Sequence, residues 1–417
     1  MTPTFQVLVF FGLTTTASDT FTLDDPVRGL LDSVYTLGGD TGTDVSTDTI
    51  SISTDRGRFS PIFSDIDAGK VRVQLNNEAR TYDPLYTAGA LYGNLTLGKR
   101  VRILANEVVV FDGRISDWEL TYDVSGRSVA EFTAEDALAT LARKTFDDWT
   151  ATAAQTAGQR LTSVLNRTEV AWPGGQRDLD TGVATLQGDA VSWGSSVLNY
   201  CQLVAQSDGP AAFFASRDGL VTFRDRRANL VGTPVVTFAD TDHGPSGVNA
   251  ALQGVGIAVG SEEFYTRVSV KREGGTVQSY TSAAATDDDV VTLTLNGLLL
   301  DSDAQALDFA TYYATAYAAG TARVSEVMTV LDTSLMSTAV LQAALSVDLN
   351  DLVTVSWTPN GVGDPITETA VVIGIQMDAT PDVCTLRLKL GRFDNRAPFI
   401  LDSPTNGVLS GSGVLVF

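Results

Sequence analysis

Histidine and cysteine are scarce in this chain of 417 residues, and their scarcity excludes several kinds of chemistry. The only histidine, His243, lies among aspartates in Asp240-Thr-Asp-His-Gly, a setting more typical of a solvated turn than of a catalytic base. A zinc site needs several cysteine and histidine ligands, which this chain cannot supply. The sequence also has no G-x-S-x-G motif and no glycine-rich phosphate loop. We therefore predict no catalytic residue, no metal ligand and no cofactor.

Two weaker possibilities for chemistry stay open at this point. Asp65 with Asp67 and the run Asp287–Asp289 could bind calcium, but neither follows the EF-hand spacing. The many acidic residues could also include a carboxylate pair of the kind that glycosidases use.

The two cysteines, Cys201 and Cys384, are far apart in the chain and both lie among apolar neighbours. This context favours two buried thiols over a disulfide.

Long hydrophobic runs are also missing. No segment approaches the run of about 18 apolar residues that a membrane-spanning helix needs. The apolar start of the chain has no basic residue before Arg28, so we interpret residues 6–11 as a strand rather than as a signal peptide. We therefore expect a protein that its own sequence neither exports nor inserts in a membrane.

Acidic residues, in contrast, are plentiful, and the formal net charge is −22. Such a surface keeps a protein soluble and repels nucleic acid, so specific DNA binding is not expected.

The apolar pattern indicates a mainly β protein with an α+β insertion. Strand-like alternation over residues 48–132 returns after Pro234, and we predict helices over residues 135–143, 151–167, 192–206 and 301–319. The resulting division is an N-terminal docking segment (1–40), a first β-barrel domain (41–150), an α+β insertion (151–230), a β-rich connecting domain (231–300), a second β-barrel domain (301–392) and a C-terminal docking segment (393–417).

The two β-rich parts repeat the same order of strand-like segments, which begin at Gly69, Gly98, Val110 and Ser128 in the first part. Their counterparts begin at Ser325, Asn350, Val372 and Asp382. A general likeness among antiparallel strands would explain this pattern less well than internal repetition does. Three copies of a chain with two similar barrels would supply six equivalent units for a closed ring.

A second repetition links the ends of the chain. Residues 21–31 read FTLDDPVRGLL and residues 399–409 read FILDSPTNGVL. The pattern predicts a short extended segment followed by a Pro/Gly turn, which could dock in a groove through its apolar side chains. The candidate docking residues are Phe21, Leu23, Asp24, Pro26, Gly29, Leu31, Phe399, Leu401, Asp402, Pro404, Gly407 and Leu409.

The stretch from Arg56-Gly-Arg58 through Ala68-Gly-Lys-Val-Arg-Val-Gln-Leu-Asn-Asn to Tyr82-Asp-Pro84 resembles a signature of minor tail proteins from long-tailed phages of actinobacteria. Asn76 stands where that group commonly has Asp, and Tyr82 replaces Phe. The terminal segments described above resemble parts of the same proteins.

The resemblance implies a tail-tip (baseplate) hub in the virion. Such a hub is a homotrimer with two tail-tube-like β-barrel domains per chain, forming a pseudo-sixfold ring that adapts the sixfold tail tube to a threefold tip. The implied partners are the distal tail protein ring, the tape measure protein and other minor tail or fibre proteins, with DNA passing through the lumen during genome ejection without specific binding. Two alternatives remain: a hexameric distal tail adaptor ring, and a tail-tip protein that degrades the cell wall or binds its sugars.

Overall fold

A computed structural model describes residues 1–12, 42–58, 64–124, 126–209, 211–229, 232–259, 264–283, 285, 290–318 and 322–393. The protein is mainly β, as the alternating sequence predicts. All twelve candidate docking residues lie outside the described residues.

The first half of the β structure comes early in the chain and ends in a short helix. Its elements are β1 (Phe5–Phe10), β2 (Thr43–Asp44), β3 (Thr49–Gly57), β4 (Asp67–Asn76), β5 (Arg100–Ala105), β6 (Val108–Tyr122), β7 (Ser128–Glu135) and α1 (Ala137–Ala142).

An α+β insertion follows. Its elements are β8 (Trp149–Ala151), β9 (Gln155–Thr156), α2 (Ala157–Leu165), β10 (Arg177–Leu179), β11 (Thr185–Leu186), β12 (Asp189–Val191), α3 (Val197–Ser207), β13 (Ala212–Ala215) and β14 (Val221–Arg224).

The rest of the described chain contains the second half and a small three-stranded sheet. Its elements are β15 (Val236–Ala239), β16 (Ala250–Ala251), β17 (Gly254–Ala258), β18 (Arg267–Arg272), β19 (Val277–Thr281), β20 (Thr292–Leu298), α4 (Asp303–Ala316), β21 (Arg323–Val330), α5 (Thr338–Ser346), β22 (Leu352–Trp357), β23 (Ile366–Ala379) and β24 (Cys384–Arg392).

Both halves belong to one sheet of 14 strands among the described residues. The hydrogen-bonded order is β2-β1-β5-β6-β7-β4-β3 in the first half and β16-β15-β22-β23-β24-β21-β17 in the second. The halves are joined because β3 also pairs antiparallel with the last part of β23. The order β5-β6-β7-β4 thus recurs as β22-β23-β24-β21, which is the repetition that the sequence predicts.

The prediction of separate closed barrels is not met within the described residues. Strand β3 pairs with β23 of the other half, so the two halves share one sheet, and the order of strands stays open. The reason is that the side of β23 facing β3 offers unpaired backbone groups beyond the point where β22 ends.

The helices differ in part from the sequence-based expectation. The helix predicted over residues 151–167 begins only at Ala157, because Ala154 has a positive φ of 58° and residues on both sides of it pair in β8 and β9. Thr156 caps α2 in a capping box with Gln159. Helix α5, which lies between β21 and β22, is not predicted by the pattern. In the part of the chain that the structure describes, no helix is both long and apolar enough to cross a membrane.

Cys201 and Cys384 are both free and buried, which confirms the prediction of two thiols. Burial raises the pKa of the Cys384 thiol to about 12 and that of Cys201 further still. Both thiols are therefore protonated and unreactive near neutral pH.

Candidate functional surface

The main candidate for a functional surface is the polar face of the shared sheet. Val71, Val73 and Leu75 of β4 are buried, whereas the alternating Lys70 and Arg72 are exposed on the opposite face. Cross-strand pairing extends this face continuously from β6 through β7, β4, β3, β23 and β24 to β21.

Charged side chains of both signs cover the polar face. Arg72 Nε lies 2.9 Å from Glu131 Oε1, and Gln74 donates to the other oxygen of Glu131 at 2.8 Å. Lys389 and Arg387 both pair with Glu326. Acidic residues outnumber basic ones on this face, which carries Asp55, Asp112, Asp117, Glu119, Glu131, Glu135, Glu326 and Asp378 against Lys70, Arg72, Arg114, Arg323, Arg387 and Lys389.

The junction between the two halves is tightly packed. Gly57 has a φ of +99°, and a Cβ added there would lie 2.4 Å from the carbonyl oxygen of Ile373, so only glycine fits. Ser53 Oγ donates to Asp378 Oδ1 at 2.6 Å across the junction. The backbone N–H of Arg58, the residue after Gly57, donates to Ile373 O at 2.8 Å.

Arg56 extends from the same strand into the interior and is 3% exposed. Its Nη2 lies 2.7 Å from Asp348 Oδ1 and donates to Ala215 O at 2.8 Å. Asp348 also accepts from the backbone N–H of Arg217 at 2.8 Å. The buried ion pair thus links β3 to the insertion and to the loop that precedes β22.

Two strand edges that are paired at the junction, those of β3 and β23, correspond to edges of β17 and β6 that no strand among the described residues covers. Strand β17 pairs with β21 on one side, and no strand among the described residues pairs with its other side. In β6, residues 115–122 pair with β7, but no strand of the described part of the chain pairs with the opposite edge there, because β5 pairs only as far as Arg114. Several exposed apolar side chains lie along these two edges: Tyr122, Ile257 and Val259.

Three buried acids, Asp136, Asp208 and Asp351, have raised pKa values. Burial raises the pKa of Asp136 to about 7, although the backbone N–H groups of Gly69 and Leu138 and the nearby Arg56 oppose the shift. Asp136 accepts from Gly69 N at 2.7 Å and from Leu138 N at 2.9 Å, and it thereby caps α1. Burial likewise raises the pKa of Asp208 and of Asp351 to about 6, and each of them accepts backbone N–H groups. All three carboxyls fix loops and helix ends.

The remaining residues considered for chemistry do not come together. His243 is exposed, and Asp65 accepts a hydrogen bond from Gln206 Nε2 at 2.7 Å. Asp287–Asp289 lie outside the described residues. Among the residues that are described, no group of three or more His, Cys, Asp and Glu side chains could hold a metal ion.

Comparison with known proteins gives a likeness of fold. No protein-family model matches the chain, and no curated protein matches it significantly. The tail protein of Neisseria meningitidis MC58 is similar in structure, with a TM-score of 0.57 and 12% identity over 93% of this chain and 96% of that one. The 43 kDa tail protein of prophage MuSo2 from Shewanella oneidensis has a TM-score of 0.55 and 11% identity over 94% and 97%. This chain therefore has a phage tail-protein fold along almost all of its length.

Proposed function

We propose that this chain is a structural subunit of a phage tail that forms the hub at the tail tip. The observation that carries the proposal is the repeated strand order within one shared sheet, in a chain that has a tail-protein fold. A tail tube is built from identical units around an axis, and a chain with two equivalent halves supplies two such units.

In this proposal three copies form a ring of six equivalent halves, so that the open sheet described above closes only in the assembly. The tip itself is then threefold, while the ring that meets the tube is pseudo-sixfold. The hexameric distal tail ring and the tape measure protein are the expected neighbours on the tube side, and fibre or other minor tail proteins are those on the tip side.

The polar face of the sheet is the surface that we assign to the lumen. Its excess of carboxylates would repel DNA phosphates weakly, so that the genome passes without binding. Replacement of Glu131 and Glu135 of β7, which lie outside both the internal junction and the edges of β6 and β17, by Lys would then slow genome ejection from assembled particles; an unchanged ejection rate would contradict this assignment.

The proposed role is mechanical rather than enzymatic. The buried acids with raised pKa values are each occupied by backbone N–H groups, which suits a role in holding the fold. Purified protein that cleared host cell wall would overturn this part of the proposal.

The decisive test is the copy number of this chain in the intact particle, measured by electron cryo-microscopy. We expect three copies around the tail axis, each with two halves in one six-membered layer. Six copies would instead show an adaptor ring and would contradict the hub.

A further inference from the structure

We propose that copies of this chain join edge to edge, with β17 of one copy adding antiparallel to residues 117–122 of β6 in the next. The partner for both free edges is thus a second copy of this chain. The inference rests on the proposed ring and states which backbone edges hold it together.

The first argument is that the two long strands, β6 and β23, correspond residue by residue. Each has one irregularity in its pairing with the following strand, between Ile115 and Asp117 in β6 and between Val372 and Gly374 in β23. Ile115 exchanges backbone hydrogen bonds with Gly98 and Lys99, just as Val372 does with Asn350 and Asp351. Beyond the irregularity, β23 pairs with β3, whereas no described strand pairs with the same edge of β6.

The second argument is that β17 is the equivalent of β3. Ile52 pairs with Val73 of β4, and Val255 pairs with Val327 of β21 at the corresponding place. Strand β3 has β4 on one side and β23 on the other, whereas β17 has β21 on one side only among the described strands. The chain therefore presents both parts of a junction that it already makes once internally.

The third argument is burial. Ala379 of β23 is 3% exposed beneath β3, but the equivalent Tyr122 of β6 is 49% exposed. Thr54 of β3 is 2% exposed, but the equivalent Ile257 of β17 is 45% exposed. Residues that the internal junction buries are thus replaced at the free edges by larger, exposed apolar side chains. In addition, the buried indole N–H of Trp118 at this edge has no acceptor among the described residues.

Transferring the internal register predicts the contacts between copies. Ile52 pairs with Ala379, Thr54 with Met377 and Asp55 with Gln376 inside the chain. The equivalent pairs between copies are Val255 with Tyr122, Ile257 with Leu120, and Ala258 with Glu119. The first two pairs join apolar side chains on the core face, while Ala258 and Glu119 meet on the polar face, so the alternation of the sheet continues across the junction.

Disulfide trapping tests this register directly. We expect the double variant Glu119→Cys/Ala258→Cys to form bonds between copies on mild oxidation, because directly opposed residues in antiparallel strands lie about 4.5–5.5 Å apart at Cα. The buried native thiols do not compete. Asp55→Cys/Gln376→Cys is the matched control, since the same geometry should give a bond within one chain. Glu119→Cys/Gly254→Cys should give none, because four residues along a strand are about 13 Å.

Light scattering on the unmodified chain gives the mass of the native assembly. Together with the trapping results, this mass separates the inference from the proposed function. A trimer that gives no 119–258 bond, or that forms the 119–254 bond instead, overturns the inference and leaves the hub intact. A six-copy ring that forms the 119–258 bond supports the inference and overturns the hub. A chain that stays monomeric at high concentration and gives no bond contradicts both.

A second variant tests the edge without cysteine. Ile257→Lys should raise the dissociation constant of the assembly at least about tenfold, because it places a charge against an apolar edge, and should leave the unfolding midpoint of the monomer unchanged. Val277→Lys is the control, since Val277 is an exposed strand residue of β19, outside the proposed junction. Equal assembly by both variants would contradict the inference.

Discussion

The two halves of the shared sheet agree in pairing order and differ in what covers their edges and connects their strands. Gly98 and Asn350 occupy the same position and both have positive φ values, 80° and 70°. However, the first half has a series of turns between β4 and β5, where the second half has α5 between β21 and β22. Strand β1 pairs antiparallel with β5, whereas its counterpart β15 pairs parallel with β22. The comparison teaches that the alternating strands fix the order of the sheet, while the connections are free to vary.

The largest expected effect comes from a substitution at Gly57, where the junction between β3 and β23 is most tightly packed. Gly57→Val should destabilise the fold by more than about 4 kcal/mol, because the new side chain meets the backbone of Ile373 and the residue has a positive φ. Chemical unfolding measures the change.

Gly254→Ala on β17 is the control for that variant. A Cβ at Gly254 makes only ordinary contacts, at 3.6 Å from Met328, so we expect a change below about 1 kcal/mol. Similar losses in both variants would show that the two edges are equally packed.

The second effect concerns Arg56, whose counterpart near the free edge is the 74% exposed Val259. Arg56→Met leaves Asp348 without its buried cation and should cost about 3–5 kcal/mol of unfolding free energy. Arg72→Met on the neighbouring strand removes an exposed ion pair with Glu131 and should cost less than about 1 kcal/mol. If Arg56→Met were as mild as Arg72→Met, the ion pair would not hold the junction.

The third and smallest effect is the pH dependence that Asp136 contributes in the first half. When the two halves are aligned by their strand pairing, Asp136, the residue after β7, corresponds to Arg392, the last residue of β24. The pKa of Asp136 is raised, so between about pH 4 and pH 7 the folded protein binds a proton that the unfolded chain has released. The contribution of this group to the unfolding free energy therefore falls as the pH rises through that window.

Asp136→Asn should remove this contribution and flatten the slope of unfolding free energy against pH by up to about 1.4 kcal/mol per pH unit. Urea unfolding at several pH values measures the slope. Asp332→Asn is the control, because hydrogen bonds from Ser334 and from the N-terminal ammonium lower the pKa of Asp332 to about 2, so its effect lies below about pH 4. A slope that Asp136→Asn leaves unchanged would contradict the prediction.

Much of the fold follows from local sequence pattern. The alternation locates the main strands, and the match of Gly98 with Asn350 is correct to the residue. The other matches have the right strands in a shifted register. The sequence pattern matches Val71 with Val327, where the sheet has Val73, two residues away. It matches Val110 with Val372, where the sheet has Ile115, five residues away. A shift of two residues keeps the same face towards the core, so periodicity cannot detect it.

The features that matter most for the candidate surface could not be predicted in this way. The pairing of β3 with β23 joins residues more than 300 positions apart, and no local pattern encodes it. The buried ion pair of Arg56 likewise depends on three elements meeting in space. One signal was available: Gly57 lies between two arginines, and a glycine at that place in a strand indicates a close backbone approach.

The internal junction has a consequence for assembly kinetics. Because one chain already contains β3 paired with β23, every copy would enter the proposed ring with half of its ring contacts made, and those contacts cost no translational freedom. A proposed ring of n copies therefore needs n − 1 encounters in solution, whereas 2n separate halves would need 2n − 1. Fusing the halves also fixes their alternation around the ring, so two first halves can never be neighbours, and each face of the ring can carry an ordered pattern of distinct attachment points.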